Sequence, residues 1–352
     1  LFNYPLRLMS RAPNLAHYQR VIDNNFLNYV KNSLVLAVLA GRAVVVCPDG
    51  FADPQVAQAI AALYAPHAVP CDAAEHAAFV GNCIAVSDGD TIRMHRDMGL
   101  VTQVFKEEAL NSLRGHVAIG HTRYSTTGSS VLRNVQPMSC DCDWGPVALA
   151  HNGDLINASD IREEMVAQGT DFETSNDSEV IIKLVGSHCE GAIEDAIAYA
   201  MSRIRGAYAV VMLAQDKLIG FRDPHGIRPL CIGRLNGSHY VLASETCALN
   251  VIGAKFVREV EPGELITIDA DGLHERQAVP KLGKALCVFE YVYFARPDSR
   301  MYNRTMHEAR RRMGHELAKE HPAPGAHMVF PIPNTGTPAA IGFAEASRVP
   351  YG

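Results

Sequence analysis

From Gly206 onward, apolar and β-branched runs alternate with short polar turns. The runs AYAVVMLA (207–214), LIGFRD (218–223) and ELITIDA (264–270) sit among the dipeptides Asp216-Lys217, Asn236-Gly237, Pro262-Gly263 and Asp271-Gly272. Turn dipeptides at this spacing predict antiparallel hairpins. Between Asn157 and Met201 the apolar period lengthens to that of helices, in two stretches. The second opens at Asn176 with Glu179 three residues on, the spacing of a capping box. Strands grouped apart from helices predict an α+β layered domain rather than an alternating parallel one.

Residues 280–285, PKLGKA, read as a linker. A helix over Tyr302–His321, a strand over His327–Ile332 and a helix from Thr337 are expected to come after it, the opening βα portion of an α/β domain cut off at Gly352. Ahead of these domains, Phe26–Cys47 reads as a helix or strand running into the strand AVVVC. A helix over Asp53–Ala65, a short segment around HAVPC and a strand over Asn82–Val86 come next. Three regions result: 1–83, an α/β segment of its own; 84–280, the α+β domain; and 286–352, the truncated start of an α/β domain. No repeat or low-complexity segment interrupts them.

Composition narrows the partners. A chain of 352 residues exceeds what one hydrophobic core usually supports, and a net charge of -6 offers no basic footprint for nucleic acid or an anionic membrane. A small-molecule ligand is expected. Nine cysteines, scattered and odd in number, point to a reducing compartment and a cytoplasmic location. The most apolar run, Ser33–Cys47, is broken by Gly41-Arg42 and falls short of the roughly 20 residues of a spanning helix. The chain opens on Leu1 with no basic-then-apolar leader, so no secretion signal is expected and the natural start is left open.

The polar blocks carry the chemistry. Gly120–Gly128 (GHTRYSTTG), Arg133–Pro137, Ala150–Asp154 (AHNGD) and Ser175–Glu179 (SNDSE) each adjoin an apolar strand. A pocket for a zwitterion needs a guanidinium for its carboxylate, a carboxylate for its ammonium and donors for its reacting carbonyl. Taken singly, Arg and Asp are commonest in surface ion pairs, and Asn-Gly in a hairpin turn.

HTRYSTTGSSVLRNVQP, LAHNGDLIN and TSNDSEVI resemble the signature blocks of class II glutamine amidotransferases. EYVYFARPDS and PIPNTGTPAAIGFAE narrow the resemblance to the amidophosphoribosyltransferases over about residues 84–352. The resemblance implies an N-terminal-nucleophile hydrolase-like sandwich of αββα layers followed by a truncated phosphoribosyltransferase domain. It also implies that ammonia from glutamine is passed to phosphoribosyl pyrophosphate in the first step of purine synthesis, by a homo-oligomer. Carried over by position, Arg123 would hold the glutamine α-carboxylate and Asp177 its α-ammonium. The Asn152 side chain and the Gly153 N–H would form the oxyanion hole. Asp154 stands where the family usually has Asn, beside a donor rather than at one.

The family's nucleophile is a cysteine at the mature N-terminus whose α-amine is the base. This sequence begins Leu1-Phe2, and the family's CG-x-FG and LQHRGQ-type blocks are missing from it as written, which removes the chemistry without necessarily removing binding. Two readings therefore stand: an amidotransferase, expected to be inactive as written and active only if a processed Cys47 or a natural N-terminus absent from this sequence supplies the nucleophile, or a chimeric or degenerate glutamine-binding module without catalysis. Cys47 lies near the family's spacing before Arg123, and cleavage after Val46 would expose it; AVVVCPDG also reads as a buried strand ending in a turn. Cys83 reads as core. The opening segment, RAVVVCPDGFADPQVAQAIAAL with VPCDAAEHAAFVGNCIAVSDGD, resembles a βαβ unit of the amidinotransferase and deiminase fold, with a junction near Val86–Asp90.

In the second domain the resemblance makes Thr335 a magnesium ligand, with Asn334 replacing a usual Asp; a helix cap is the rival reading. The family's diphosphate loop would lie past Gly352. Cys287 sits where many members place the first of four thiolates to an iron–sulfur cluster, which one thiolate cannot hold, so it reads as structural. Cys140 and Cys142 are expected in an exposed loop, and Arg310-Arg311-Arg312 as a solvated basic face.

Overall fold

The computed structural model describes residues 80–124, 131–332 and 334–352. Cys47, Val46 and the elements expected before Val80 lie outside the described residues, and so does the stretch 125–130.

Turn chemistry sets the hairpins. Asn236 and Gly237 both take positive φ, 51° and 80°, the geometry that suits the right-handed twist of flanking strands. The strands they join, Cys231–Leu235 and His239–Ala243, pair Leu235 with His239. In chain order the elements are β1 (Val80–Ser87), β2 (Ile92–Met98), the short helices α1 (Val101–Val104) and α2 (Glu107–Ser112), and β3 (Val117–Tyr124). β4 (Met138–Cys142) and β5 (Gly145–Leu155) lead to three helices: α3 (Ala158–Ala167), α4 (Asp177–Gly186) and α5 (Ile193–Arg203). Next come β6 (Gly206–Ala214), β7 (Lys217–Arg222), β8 (Cys231–Leu235), β9 (His239–Ala243), α6 (Thr246–Val251), β10 (Lys255–Glu259), β11 (Glu264–Asp269) and β12 (Gly272–Gln277). The strand β1 begins at Val80 and so straddles the expected boundary at residue 84.

Six strands form one antiparallel sheet in the order β12-β11-β7-β6-β5-β4, and two three-stranded sheets, β2-β1-β3 and β10-β8-β9, complete the sandwich. Strand alternation shows how the layers stack. On β6, Tyr208, Val210, Met212 and Ala214 face a core shared with Ile161, Val180, Ile181 and Ile197 of the helices. Its intervening residues, Ala209, Val211 and Leu213, face Ala85, Ile119, Ile232 and Leu242 of the smaller sheets. The outer faces of those sheets are covered through Phe105, Leu110 and Leu249 of or beside α1, α2 and α6. This is the αββα arrangement that the family resemblance implies, and it fits the α+β layering expected from the residue pattern. Small residues at the sheet-to-sheet contact, Ala148, Ala150 and Ala209, leave room for two pleated surfaces to meet.

Three helices occupy 158–203, where two helical stretches are expected. Gly191, with φ 90°, and the exposed Ser187, His188 and Glu190 break the second stretch into α4 and α5. The pair Cys140 and Cys142 lies on β4 rather than in an exposed loop, half-buried against the helical core, because the strand's period of two turns both toward α4.

The linker is docked, not free: Leu282 N–H donates to Pro224 O (2.9 Å) and Ala285 N–H to His225 O (3.1 Å). Beyond it, a two-residue hairpin of β13 (Arg300–Met301) and β14 (Arg304–Thr305) turns through Tyr302 and Asn303, both at positive φ. The helix α7 (Met306–Glu320) therefore starts at a Thr305 cap instead of at Tyr302. The expected strand over His327–Ile332 is reduced to one parallel bridge, Val329 with Tyr351, since no further strand pairs with it among the described residues. α7 crosses α8 (Thr337–Ser347) through two glycines. A Cβ on Gly314 would lie 1.9 Å from Ala339 O, and one on Gly342 would lie 1.9 Å from Arg311 O.

Arg310 corrects the expectation of a solvated basic run. Its neighbours Arg311 and Arg312 pair with Glu345 and Glu308, but Arg310 is 1% exposed and donates to the carbonyls of Tyr291 (2.7 Å) and Ala295 (2.6 Å). Among the described residues no helix is long and apolar enough to cross a membrane.

Candidate functional site

Two residues before its end at Leu155, strand β5 carries His151-Asn152-Gly153, opposite Val210, Ala209 and Tyr208 of β6. Gly153 has φ 147°, and a Cβ there would lie 1.8 Å from Ala207 O, so no other residue fits while this pairing holds. Asn152 is half-buried, and its Nδ2 donates to Ser244 Oγ at 3.2 Å. Beneath it, His151 N–H is held by Gln136 Oε1 at 2.6 Å, which fixes the strand at this point.

Asp177 is the first residue of α4, where the unsatisfied N–H groups and helix dipole favour a carboxylate. Its Oδ2 accepts from Leu155 N–H at 3.0 Å, and His151 Nδ1 lies 3.7 Å from Oδ1. Burial by itself would raise this carboxyl, but His151 and the N–H groups of Leu155 and Ser178 outweigh it and hold Asp177 below the ordinary range. Asp177 is therefore an anion ready for a cation.

Arg123 lies near the end of β3, opposite Gly81 of β1, and is 6% exposed. Burial lowers its pKa while the Asp177 carboxylate pulls the other way, so the two opposite charges share one environment. Beside Arg123, at the centre of the cluster, is His121. Burial pushes its imidazole down to about 3, helped by the charges of Arg123 and His151, while the nearby Asn152 carboxamide works weakly in the opposite sense. Among the described residues neither ring nitrogen makes a hydrogen bond of good geometry, and His151 Nε2 is likewise unpartnered.

The structure thus gathers Arg123 from β3, Asn152 and Gly153 from β5, and Asp177 from α4. Thr335 stands apart, 9% exposed, one residue ahead of Gly336, which is the N-cap of α8; the rival reading of Thr335 as that cap is corrected. Sequence reasoning quoted His121 and His151 within its blocks but gave them no role, and it missed Ser244 altogether. The first two are flagged by polar residues on otherwise apolar strands. Ser244, in LASET, carries no local signal. Among the described residues no three His, Cys, Asp or Glu side chains come close enough to hold a metal ion. Cys287 is a half-buried free thiol, and Cys83 is 1% exposed with its thiol pushed up to about 12 by burial, as a core cysteine should be.

Residues 121–251 match the family described as a glutamine amidotransferase domain. The chain is 47% identical over 277 residues to the amidophosphoribosyltransferase of Synechococcus elongatus, covering 76% of this chain and 55% of the relative. It is 43% identical to that of Methanocaldococcus jannaschii, covering 79% and 62%. Among solved structures, the allosteric regulatory enzyme of purine biosynthesis superposes with a TM-score of 0.79 at 36% identity, covering 89% of this chain and 64% of that one. The glutamine phosphoribosylpyrophosphate amidotransferase of Bacillus subtilis, complexed with ADP and GMP, superposes with a TM-score of 0.77 at 35% identity, covering 88% and 64%. The chain spans little more than half the length of the curated relatives it matches.

Proposed function

We propose, from the premise that this chain carries the glutamine amidotransferase domain of the amidophosphoribosyltransferase family, that its sandwich binds L-glutamine and frees ammonia from the side-chain amide. The observation that supports this is the convergence of Arg123, Asp177 and Asn152-Gly153 from three elements. A zwitterion laid across it gives its α-carboxylate to Arg123 and its α-ammonium to Asp177. Its amide carbonyl is then directed toward Asn152 and Gly153. When a nucleophile adds to the amide carbon, the carbonyl oxygen takes the negative charge, and donors fixed in advance stabilise it without reorganisation. Collapse of that intermediate expels the nitrogen as ammonia, carrying the proton that the α-amine took from the thiol, and leaves a thioester that water cleaves to glutamate and free cysteine.

The nucleophile this reading needs is a cysteine with a free α-amine, and Cys47, outside the described residues, is the one we assign. We further propose the family's second step, transfer of ammonia to phosphoribosyl pyrophosphate. Thr335 is the residue that would contribute to a magnesium site there, and no step here runs through magnesium or an iron–sulfur cluster.

Calorimetric titration of the full chain with L-glutamine, beside an ammonia-release assay and intact-mass measurement, tests the reading. Binding that Arg123→Ala and Asp177→Asn each weaken at least about 10-fold is expected, since each removes a partly buried charge partner. Ammonia release from a chain whose terminus has moved to Cys47 would establish the enzyme. Binding without release would mark a glutamine-binding module, and no binding at all would refute the assignment.

A further inference from the structure

A carboxamide has two N–H donors and one oxygen, and its plane turns readily about the terminal torsion. To stabilise an oxyanion, one N–H must face the developing charge while the amide is held against rotation. In this chain the holding contact is the Asn152 Nδ2 donation to Ser244 Oγ, 3.2 Å long and 92 residues apart in sequence. We propose that Ser244 is a positioning residue for Asn152, an inference that rests on the glutamine reading above.

Ser244 is itself anchored. It lies between β9 and α6, and the residues after it grip the segment beyond the linker. Glu245, 6% exposed, accepts from Arg296 N–H at 2.8 Å and from Ser299 Oγ–H at 2.7 Å; Thr246 Oγ1 accepts from Arg300 N–H at 2.8 Å. A continuous run of contacts therefore joins residues 296–300 to the Asn152 amide through one short turn. The enclosed His121 is near enough to the same carboxamide to interact with it. One N–H of Asn152 is thereby committed to Ser244, and the other remains for the glutamine carbonyl.

Two readouts on the full chain decide the matter. The first is the side-chain ¹⁵N–¹H₂ pair of Asn152, in protein labelled selectively at asparagine and assigned with Asn152→Asp. Ser244→Ala is expected to abolish the hydrogen-bonded, slowly exchanging proton, and Ser244→Thr to keep it. The second is glutamine hydrolysis: Ser244→Ala should lower kcat on the order of 10-fold with KM within about 2-fold, and Ser244→Thr should recover most of it. An amide signal untouched by Ser244→Ala overturns the proposal, as does an unchanged kcat in a chain whose parent releases ammonia. A parent that releases no ammonia sinks the catalytic reading and the catalytic part of this inference, while the amide signal still decides whether Ser244 holds Asn152.

Discussion

An imidazole enclosed without a hydrogen bond is costly to charge, and in His121 that cost becomes a dependence of stability on pH. Its ordinary pKa near 6.5 drops to about 3 in the folded chain, chiefly through burial. Between those values the unfolded chain binds a proton that the folded one refuses. The contribution of His121 to stability is therefore complete above about pH 6.5 and erodes as pH falls toward 3, by at most about 1.4 kcal/mol per pH unit. Glu290, pushed up to about 7 by burial, acts with the opposite sign over part of this range, so the comparison must be with a variant. In urea denaturation from pH 7.5 to 4.5, His121→Gln is expected to flatten the loss seen in the parent; parallel curves would refute it. The four residues gathered from β3, β5 and α4 could be singled out in the sequence because each sits in a polar block, and their roles came with the family resemblance of those blocks. Ser244 was not, because a lone serine acquires its meaning only from a strand 92 residues away.

At the scale of the element, α4 shows how a correct local signal can serve a different end. Asn176 caps the helix, its Oδ1 accepting from Ser178 N–H at 3.0 Å, as its spacing to Glu179 suggested. Glu179 does not close the box onto Asn176. Its carboxylate instead accepts from the N–H groups of Glu173 and Thr174, both at 2.8 Å, and binds the preceding loop to the helix that carries Asp177. Arg162 completes the tie by donating to the carbonyls of Thr174 and Asn176. Loss of a cap costs about 1 kcal/mol, whereas stripping the acceptor from two loop N–H groups costs roughly 1–3 kcal/mol for each that water does not reach. Equilibrium unfolding should accordingly rank Glu179→Ala as more damaging than Asn176→Ala. The reverse order would mean that the loop satisfies its donors by other means.

Across the molecule, an α+β layered domain was readable because its strands alternate and its turns carry Gly, Asn and Asp where positive φ is required, while the αββα order of the layers came with the family resemblance. The seating of the part beyond the linker could not be read, since that depends on long-range groups such as the enclosed Arg310 and the ion pair of Arg228 with Glu290 at 2.8 Å. The α7–α8 crossing depends on the missing side chains of Gly314 and Gly342. Gly342→Leu would drive a Cβ to within 1.9 Å of Arg311 O, so the helices must part. Limited proteolysis should then cut between α7 and α8 at least about 10-fold faster while residues 80–280 stay protected, because opening by 1.4 kcal/mol already shifts a local equilibrium tenfold. Equal resistance in both proteins would show that the crossing tolerates a side chain.

Gly153 and Asn152 are neighbours with unlike histories in store. The carbonyl of Ala207 occupies the space where any side chain at 153 would begin, so a descendant that kept the β5–β6 pairing would keep this glycine even after all chemistry had lapsed. Asn152 is under no such compulsion. In judging whether a distant copy of this chain still works on an amide, the glycine testifies only to the fold, and it is the asparagine that testifies to the trade.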